Sequence, residues 1–384
     1  MAVYKLFPIQ DAALYSFYPF MNTGIDAIIE AGNLNVNYNP VPQVQRFVVQ
    51  FDQDQITNII NTEVGVTKAF SSDLKCFISN AQGVVMKTDM HAYAVSGSWD
   101  NGSGTYLDSP LTTNGVSWVS RNFSGSGNWL TSGWDTYVTA SWSGSNNQGG
   151  GNWFTGSNDP NNTNLTPYQT FNLRTEKDLK LNVTDIVNVW YSSSNSIGGY
   201  TNIANEGFIV KWEDAVEFST ADAIQPIMQF YSVDTNTIYP PVLEIKWDDQ
   251  SFETGSLSEI DTTDVFVALD SNPGVFYSES INRFRLNVRP EYPIRTYQTA
   301  SLFTTNNYLN SSSLYAVKDL DTNEFIINFD EEYTKISCDE IGNYFTIYMN
   351  GLEPERYYKI LIQTTISGST IVKDDQYYFK VVNG

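Results

Sequence analysis

Apolar residues along the chain gather in short runs and seldom recur at helical spacing. The runs 46–51 (RFVVQF), 73–78 (DLKCFI), 135–142 (DTYVTASW), 206–212 (EGFIVKW) and 242–247 (VLEIKW) are rich in β-branched and aromatic residues and are bounded by Gly, Asn, Asp, Ser or Pro. They predict strands. The segment 183–191 (VTDIVNVWY) departs from this, with Val183, Ile186, Val187 and Trp190 at helical spacing and Thr184 or Asp185 as a cap. A second short turn is expected over 24–30. Strand-length runs punctuated by turn residues, with no fixed internal repeat, predict an all-β protein of sandwiches with one or two small helices.

The pattern breaks after Trp247. The stretch DDQSFETGSLSEIDTTD is polar and acidic without apolar alternation, so 251–260 reads as a linker. Strands are expected again at 265–269, 283–288, 325–329, 344–349, 357–363 and 377–382, a spacing suited to an immunoglobulin- or fibronectin-like sandwich over 261–384.

Composition narrows the function classes. Against 21 Lys and Arg stand 43 Asp and Glu, a net charge of −22, which disfavours a nucleic-acid backbone or an anionic membrane surface as partner. Cys76 and Cys338, more than 250 positions apart, read as buried small hydrophobes rather than a disulfide. The first twenty residues lack the basic start, unbroken apolar core and small-residue cleavage site of a signal peptide, and no window approaches a membrane span, so a soluble, non-exported protein is expected.

Catalytic chemistry finds little support. The single histidine, His91, lies in a predicted strand where it shares a face with Asp89 and Tyr93, a setting for a hydrogen-bonded surface histidine rather than a general base. No nucleophile elbow, phosphate loop or zinc spacing accompanies it. Acid pairs such as Asp248–Asp249 and Asp374–Asp375 sit in polar stretches with nothing to isolate them. No cofactor is expected. Calcium is the softer alternative, at Asp100-Asn-Gly-Ser-Gly or Asp159-Pro-Asn-Asn, where Asx turns are favoured over ligation.

Six of the nine tryptophans fall between 99 and 153, in Gly-, Ser- and Asn-rich sequence. For Trp129, Trp134, Trp142 and Trp153 packing and recognition are both open. Trp129 and Trp153, beside flexible loops, are the better candidates for contact with a partner or glycan. The arm 1–22 adds Tyr4, Tyr15, Phe17, Tyr18 and Phe20 in a stretch broken by Pro8 and Pro19, which suits an extended segment laid on another surface.

Two resemblances give these patterns names. In GLEPERYYKILIQT the order Leu352, Pro354, Tyr358 resembles the corner of a fibronectin type III domain, where a tyrosine packs inward and its hydroxyl reaches back to the turn. The runs RFVVQFDQDQI, DLKCFISNAQG, MHAYAVSGSWDNGSGTYLDSPLTTNGVSWVSRN, LNVTDIVNVWYSSSNS, NEGFIVKWED and MQFYSVDTNTIYPPVLEIKWDD resemble, in order and spacing, a DNRLRE-type β-sandwich, a module similar to carbohydrate-binding jelly rolls. That resemblance implies a jelly-roll-like sandwich over 23–250 and makes Trp99 and Trp118 scaffold plugs. The opening YKLFPIQDAALYSFYPFMNTG looks like the openings of tailed-bacteriophage virion proteins. The resulting expectation is a non-enzymatic virion component of the neck, tail or fibre-attachment region, oligomeric in the assembly and binding other virion proteins, with a glycan-binding surface module as the alternative.

Overall fold

The computed structural model describes residues 2–34, 42–122, 127–129, 138–140, 149–154, 164–192, 196–197, 200–201, 203–219, 225–270, 272–293 and 306–384. Strands dominate and helices are few and short, as the pattern predicts. The chain divides into two compact units. The N-terminal unit comprises Leu6–Glu63 and Ser71–Glu244, and the C-terminal unit comprises Met1–Lys5, Val64–Phe70 and Ile245–Gly384.

The N-terminal unit is built on one large antiparallel sheet. Its strands run in the order Tyr168–Phe171, Thr88–Ala94, Phe208–Trp212, Val44–Phe51, Ile28–Asn33, Ile227–Tyr231 and Ile78–Gln82, and Pro8–Tyr15 also pairs with Val44–Phe51. Side chains alternate across a strand, so register sorts this sheet into two faces. Phe208 pairs with Val49 and Ala13 with Phe47, which puts Phe47, Val49, Phe51, Phe208, Val210 and Trp212 on one side. There Phe47 meets Phe230 and Phe208 meets Trp190 of the helix Thr184–Tyr191, with ring centroids 5.7 and 4.7 Å apart. This is the sandwich core. Ala12, Leu14, Val44, Val48 and Ile209 point the other way and are buried as well.

The helices depart from the sequence reading. Neither Thr184 nor Asp185 caps Thr184–Tyr191: the Asn182 side chain accepts from the Thr184 amide, the Thr184 hydroxyl accepts from the Ser72 amide, and Asp185 accepts from the Asn164 amide. The helix Gln53–Ile59, which the periodicity did not disclose, is capped by the Asp52 carboxylate accepting from the Asp54 amide. Residues 24–25 form a turn within the stretch where one was expected, and Ile28–Glu30 already belong to the strand Ile28–Asn33.

The C-terminal unit is a two-sheet sandwich. One sheet has the order Val265–Asp270, Ile281–Pro290, Asn343–Tyr348, Ser337–Cys338; the other has Val275–Tyr277, Ser369–Val382, Tyr357–Ile366, Leu314–Asp319, Phe325–Ile327. Val275–Tyr277 runs parallel to the end of the last strand and the rest pair antiparallel, the arrangement of immunoglobulin-like sandwiches. A column of rings fills the core, with Phe345 stacked on Tyr315 at 4.4 Å and on Phe284 at 5.5 Å. Tyr358 is buried and its hydroxyl donates to the Glu353 carbonyl at 3.0 Å, while Leu352 is buried beneath the turn that contains Pro354. The tyrosine corner is therefore present.

Two sequence boundaries move. The stretch 251–260, expected as a linker, belongs to the C-terminal unit: Phe252 bridges Cys338, Ser258–Glu259 pairs with Asn307–Tyr308, and Ile260 enters the core. Three apolar residues, Phe252, Leu257 and Ile260, scattered in acidic sequence carry too weak an alternation to be read as strand. The arm 1–22 is likewise no separate element. Val3 packs in the C-terminal core and Tyr4 meets Tyr348 edge-on at 5.8 Å, whereas Pro8–Tyr15 is a paired strand of the N-terminal sheet.

Candidate interaction surface

The second face of the large sheet is covered by the Gly-rich segment that follows residue 95. Trp99, Trp118, Trp129 and Trp153 pack with Val95 and Val116 onto Ala12, Leu14, Val48 and Ile209. Trp129 is 1% and Trp153 4% exposed, so both residues expected to contact a partner are core instead. The reason is physical: an apolar sheet face needs cover, and indole rings supply the most area per residue. Trp99 and Trp129 also satisfy their ring N–H groups, donating to the Glu206 and Ser117 carbonyls at 2.9 Å each. Trp134, Trp142 and the Asp159 turn lie outside the described residues.

Arg46 sits in this second core. Its guanidinium donates to both carboxylate oxygens of Glu217, at 2.9 and 2.6 Å, and to the Gly150 carbonyl at 2.7 Å. It also lies over the rings of Trp118 and Trp153, 5.1 and 5.3 Å from their centroids. Lys211 shares Glu217 at 3.2 Å and reaches Asp214 at 2.6 Å. Every charge has a partner, and the group is sealed from solvent apart from Asp214, which reads as structure rather than chemistry.

His91 stacks on Tyr93 at 5.7 Å and lies 5.4 Å from Tyr168. Burial, with the Lys211 charge nearby, holds its pKa below the ordinary histidine value. Among the described residues no three His, Cys, Asp or Glu side chains gather as a metal site. At the Asp100 turn, polar groups are used locally, with the Asp100 carbonyl accepting from Val116 and the Ser103 amide donating to Asn114.

One group of exposed aromatic residues lies at a margin of the N-terminal unit. Tyr15 is buried at its base, Phe17 half-buried, and Tyr18, Phe20 and Tyr106 stand 37, 53 and 42% exposed. Tyr15 meets Phe17 at 5.6 Å, Phe17 meets Tyr18 at 4.8 Å, Tyr18 meets Tyr106 at 6.2 Å, and Tyr106 returns to Tyr15 at 5.2 Å. Ile25, Leu107 and Leu111 are exposed in the same two loops.

These loops are held together by one buried residue that the sequence did not single out. The Asn22 amide nitrogen donates to the Asn101 and Val116 carbonyls at 2.7 and 2.8 Å, and its oxygen accepts from the Gly104 amide at 2.8 Å. Gly102, at φ +81°, allows this approach, since a Cβ there would lie 2.4 Å from that Asn22 oxygen. The Tyr106 amide donates to Asp26 at 3.0 Å, and the Tyr15 hydroxyl to Glu30 at 3.1 Å. Burial raises the Glu30 carboxyl above its usual range, opposed by the hydrogen bonds from Gln229 and Tyr15. Sequence composition flags Tyr15, Phe17, Tyr18 and Phe20, and the fold adds Tyr106 from ninety residues away.

No known family matches the chain, and no curated protein sequence matches it. Among solved structures it is similar at 8% identity and a TM-score of 0.18 to a DUF4785 family protein of Legionella pneumophila, covering 98% of this chain and 65% of that one. A β-glucuronidase of Parabacteroides merdae follows at 8% identity and 0.17, with 96% and 36% covered. The chain thus spans less than two thirds of either protein, and likenesses this slight carry no functional argument.

Proposed function

We propose that this chain acts by binding and without a chemical step, as an interaction component of a tailed-bacteriophage virion. Its working surface is the margin formed by Tyr18, Phe20, Tyr106 and Leu107. The observation that carries the binding role is that cluster: exposed rings packed on one another above a base rigidified by Asn22 and Thr23. Contiguous exposed apolar side chains mark contact sites, and tyrosine is enriched where contacts contribute most. The virion setting is supported by the resemblance of the opening segment and by the acidic, cysteine-poor stack of β-sandwiches, whereas the DNRLRE likeness of the N-terminal unit's sequence argues for the glycan reading below.

Hydrogen exchange tests the reading by comparing the isolated chain with intact particles that contain it. Residues 17–25 and 105–111 are expected to gain protection on assembly. Equal protection in both states, or purified particles that lack the chain, overturns it. A glycan ligand is the second reading, favoured because the same rings stand in loops of a jelly-roll-like sandwich. Saturable binding of a neutral oligosaccharide, lost in Tyr18→Ala, supports that one instead.

A further inference from the structure

We infer that the Tyr15–Phe17–Tyr18–Tyr106 cluster recognises a cation, the guanidinium of an arginine that a partner presents among apolar side chains. The inference rests on the binding role proposed above and specifies its partner.

Elsewhere the chain places its own cations over several of its rings. Arg46 lies over Trp118 and Trp153, Arg283 over Tyr344 at 4.5 Å, Arg289 over Phe266 at 4.2 Å, Lys318 over Phe325 at 5.0 Å and Lys380 over Tyr357 at 5.8 Å. Among the described residues no cation of the chain is placed over Tyr18 or Tyr106. Sequence explains why. Neither Lys nor Arg occurs from Leu6 to Gln45 or from Ala92 to Ser120, the segments that supply the cluster and its supports. Those segments do supply acids: Glu30 under Tyr15, Asp26 at the Tyr106 amide, and Asp108 in the Tyr106 loop.

Exposed rings beside carboxylates attract a cation twice, through the ring quadrupole and through charge. Arginine suits the site better than lysine because its planar, weakly hydrated guanidinium stacks on rings and forks onto a carboxylate. Phe20, Ile25 and Leu107, all exposed around the cluster, receive the apolar neighbours of that arginine.

The test titrates the full chain, with ring-labelled tyrosine, with N-acetylarginine amide and with its neutral near-isostere N-acetylcitrulline amide, following tyrosine resonances by NMR. Saturable shifts at Tyr18 and Tyr106 are expected with arginine and not with citrulline. Tyr18→Ala or Tyr106→Ala should weaken binding about two- to fivefold, the worth of one exposed cation–π contact. Asp26→Asn keeps an acceptor for the Tyr106 amide while removing charge, and it should weaken binding as well. Added salt should lower affinity in the wild type more than in Asp26→Asn. Equal shifts with citrulline, no shift with arginine, or shifts that persist when both tyrosines are replaced overturn the inference. Protection gained in particles alongside any of those results leaves the protein-contact reading standing and removes only the cation.

Discussion

The two units bury antiparallel sheets with different materials. In the C-terminal unit two sheets face each other across rings and aliphatics, and the arginine pairs sit at the margin, where Arg285 holds Asp339 at 2.7 Å and Arg356 holds Asp319 at 2.7 Å. The N-terminal unit has a central strand, Val44–Phe51, buried on both faces, and its second face is closed by irregular chain instead of a sheet. Irregular chain brings carbonyls into the interior, Gly150 among them, and a buried cation, Arg46, satisfies that group. The lesson is that a loop becomes core only with an ionic group to satisfy its backbone and large rings to fill its volume.

That contrast predicts where the molecule is most fragile. Arg46→Ala leaves Glu217 buried with Lys211 alone, strands the Gly150 carbonyl and removes the cation from two indoles. A loss of about 3–5 kcal/mol is expected, the cost of breaking a buried ion pair from one side. Eight of the nine tryptophans precede Glu244, so fluorescence-monitored urea unfolding reports this unit. A change under about 1 kcal/mol, the size usual for an exposed pair, means that the second core does not depend on its ion pair.

Much of this architecture is legible from the chain, unevenly. The strand Val242–Trp247 coincides with its predicted span, and the corner at Leu352, Pro354 and Tyr358 is recognisable because turn, packing and hydroxyl partner are all local. Leu314–Asp319 escapes notice since its inward pair, Tyr315 and Val317, is short and flanked by Asn and Ser. Gln53–Ile59 escapes because Ile56 and Ile59 are its only buried positions. The tryptophans are visible while their roles are not: whether a ring in a glycine-rich loop packs or projects is decided by the sheet face beneath it, which is a matter of register. Asn22 and Tyr106 were illegible for the same reason. Each matters through neighbours seventy-nine or more residues away.

The second prediction concerns acid. Asp11 is buried on the N-terminal sheet, and its pKa is raised to about 8 by desolvation, with Asp234 and Asp26 adding to the rise and the Val233 amide opposing it. A raised folded pKa means that the native state holds the proton more tightly than the unfolded chain does. Its contribution to stability is therefore complete below about pH 4 and is lost as pH climbs toward 8. In the C-terminal unit Asp339 has the opposite sign: hydrogen bonds from Arg285 hold it down to about 2, so its contribution is present above pH 4 and lost below. Asp11→Asn removes the first titration and keeps an oxygen for Val233. The stability of the variant relative to wild type should rise steadily from pH 4 to pH 8. A difference that stays flat over that interval shows that Asp11 is ionised in the folded protein.

The smallest effect is expected at the corner of the C-terminal unit. Tyr358→Phe keeps the buried ring and its contact with Phe379 at 5.7 Å and deletes only the hydroxyl that donates to Glu353. One neutral hydrogen bond to a backbone carbonyl is worth about 0.5–1.5 kcal/mol. Because the Glu353 carbonyl lies in a turn within reach of water, the cost should fall toward the lower end. The loss should be local, appearing as faster exchange of amides in Tyr357–Ile366 while the tryptophan transition of the N-terminal unit holds its midpoint. A shifted tryptophan transition would mean that the two units unfold together. Unchanged exchange would mean that the ring alone fixes the turn, leaving the hydroxyl contact a consequence of packing rather than a support for it.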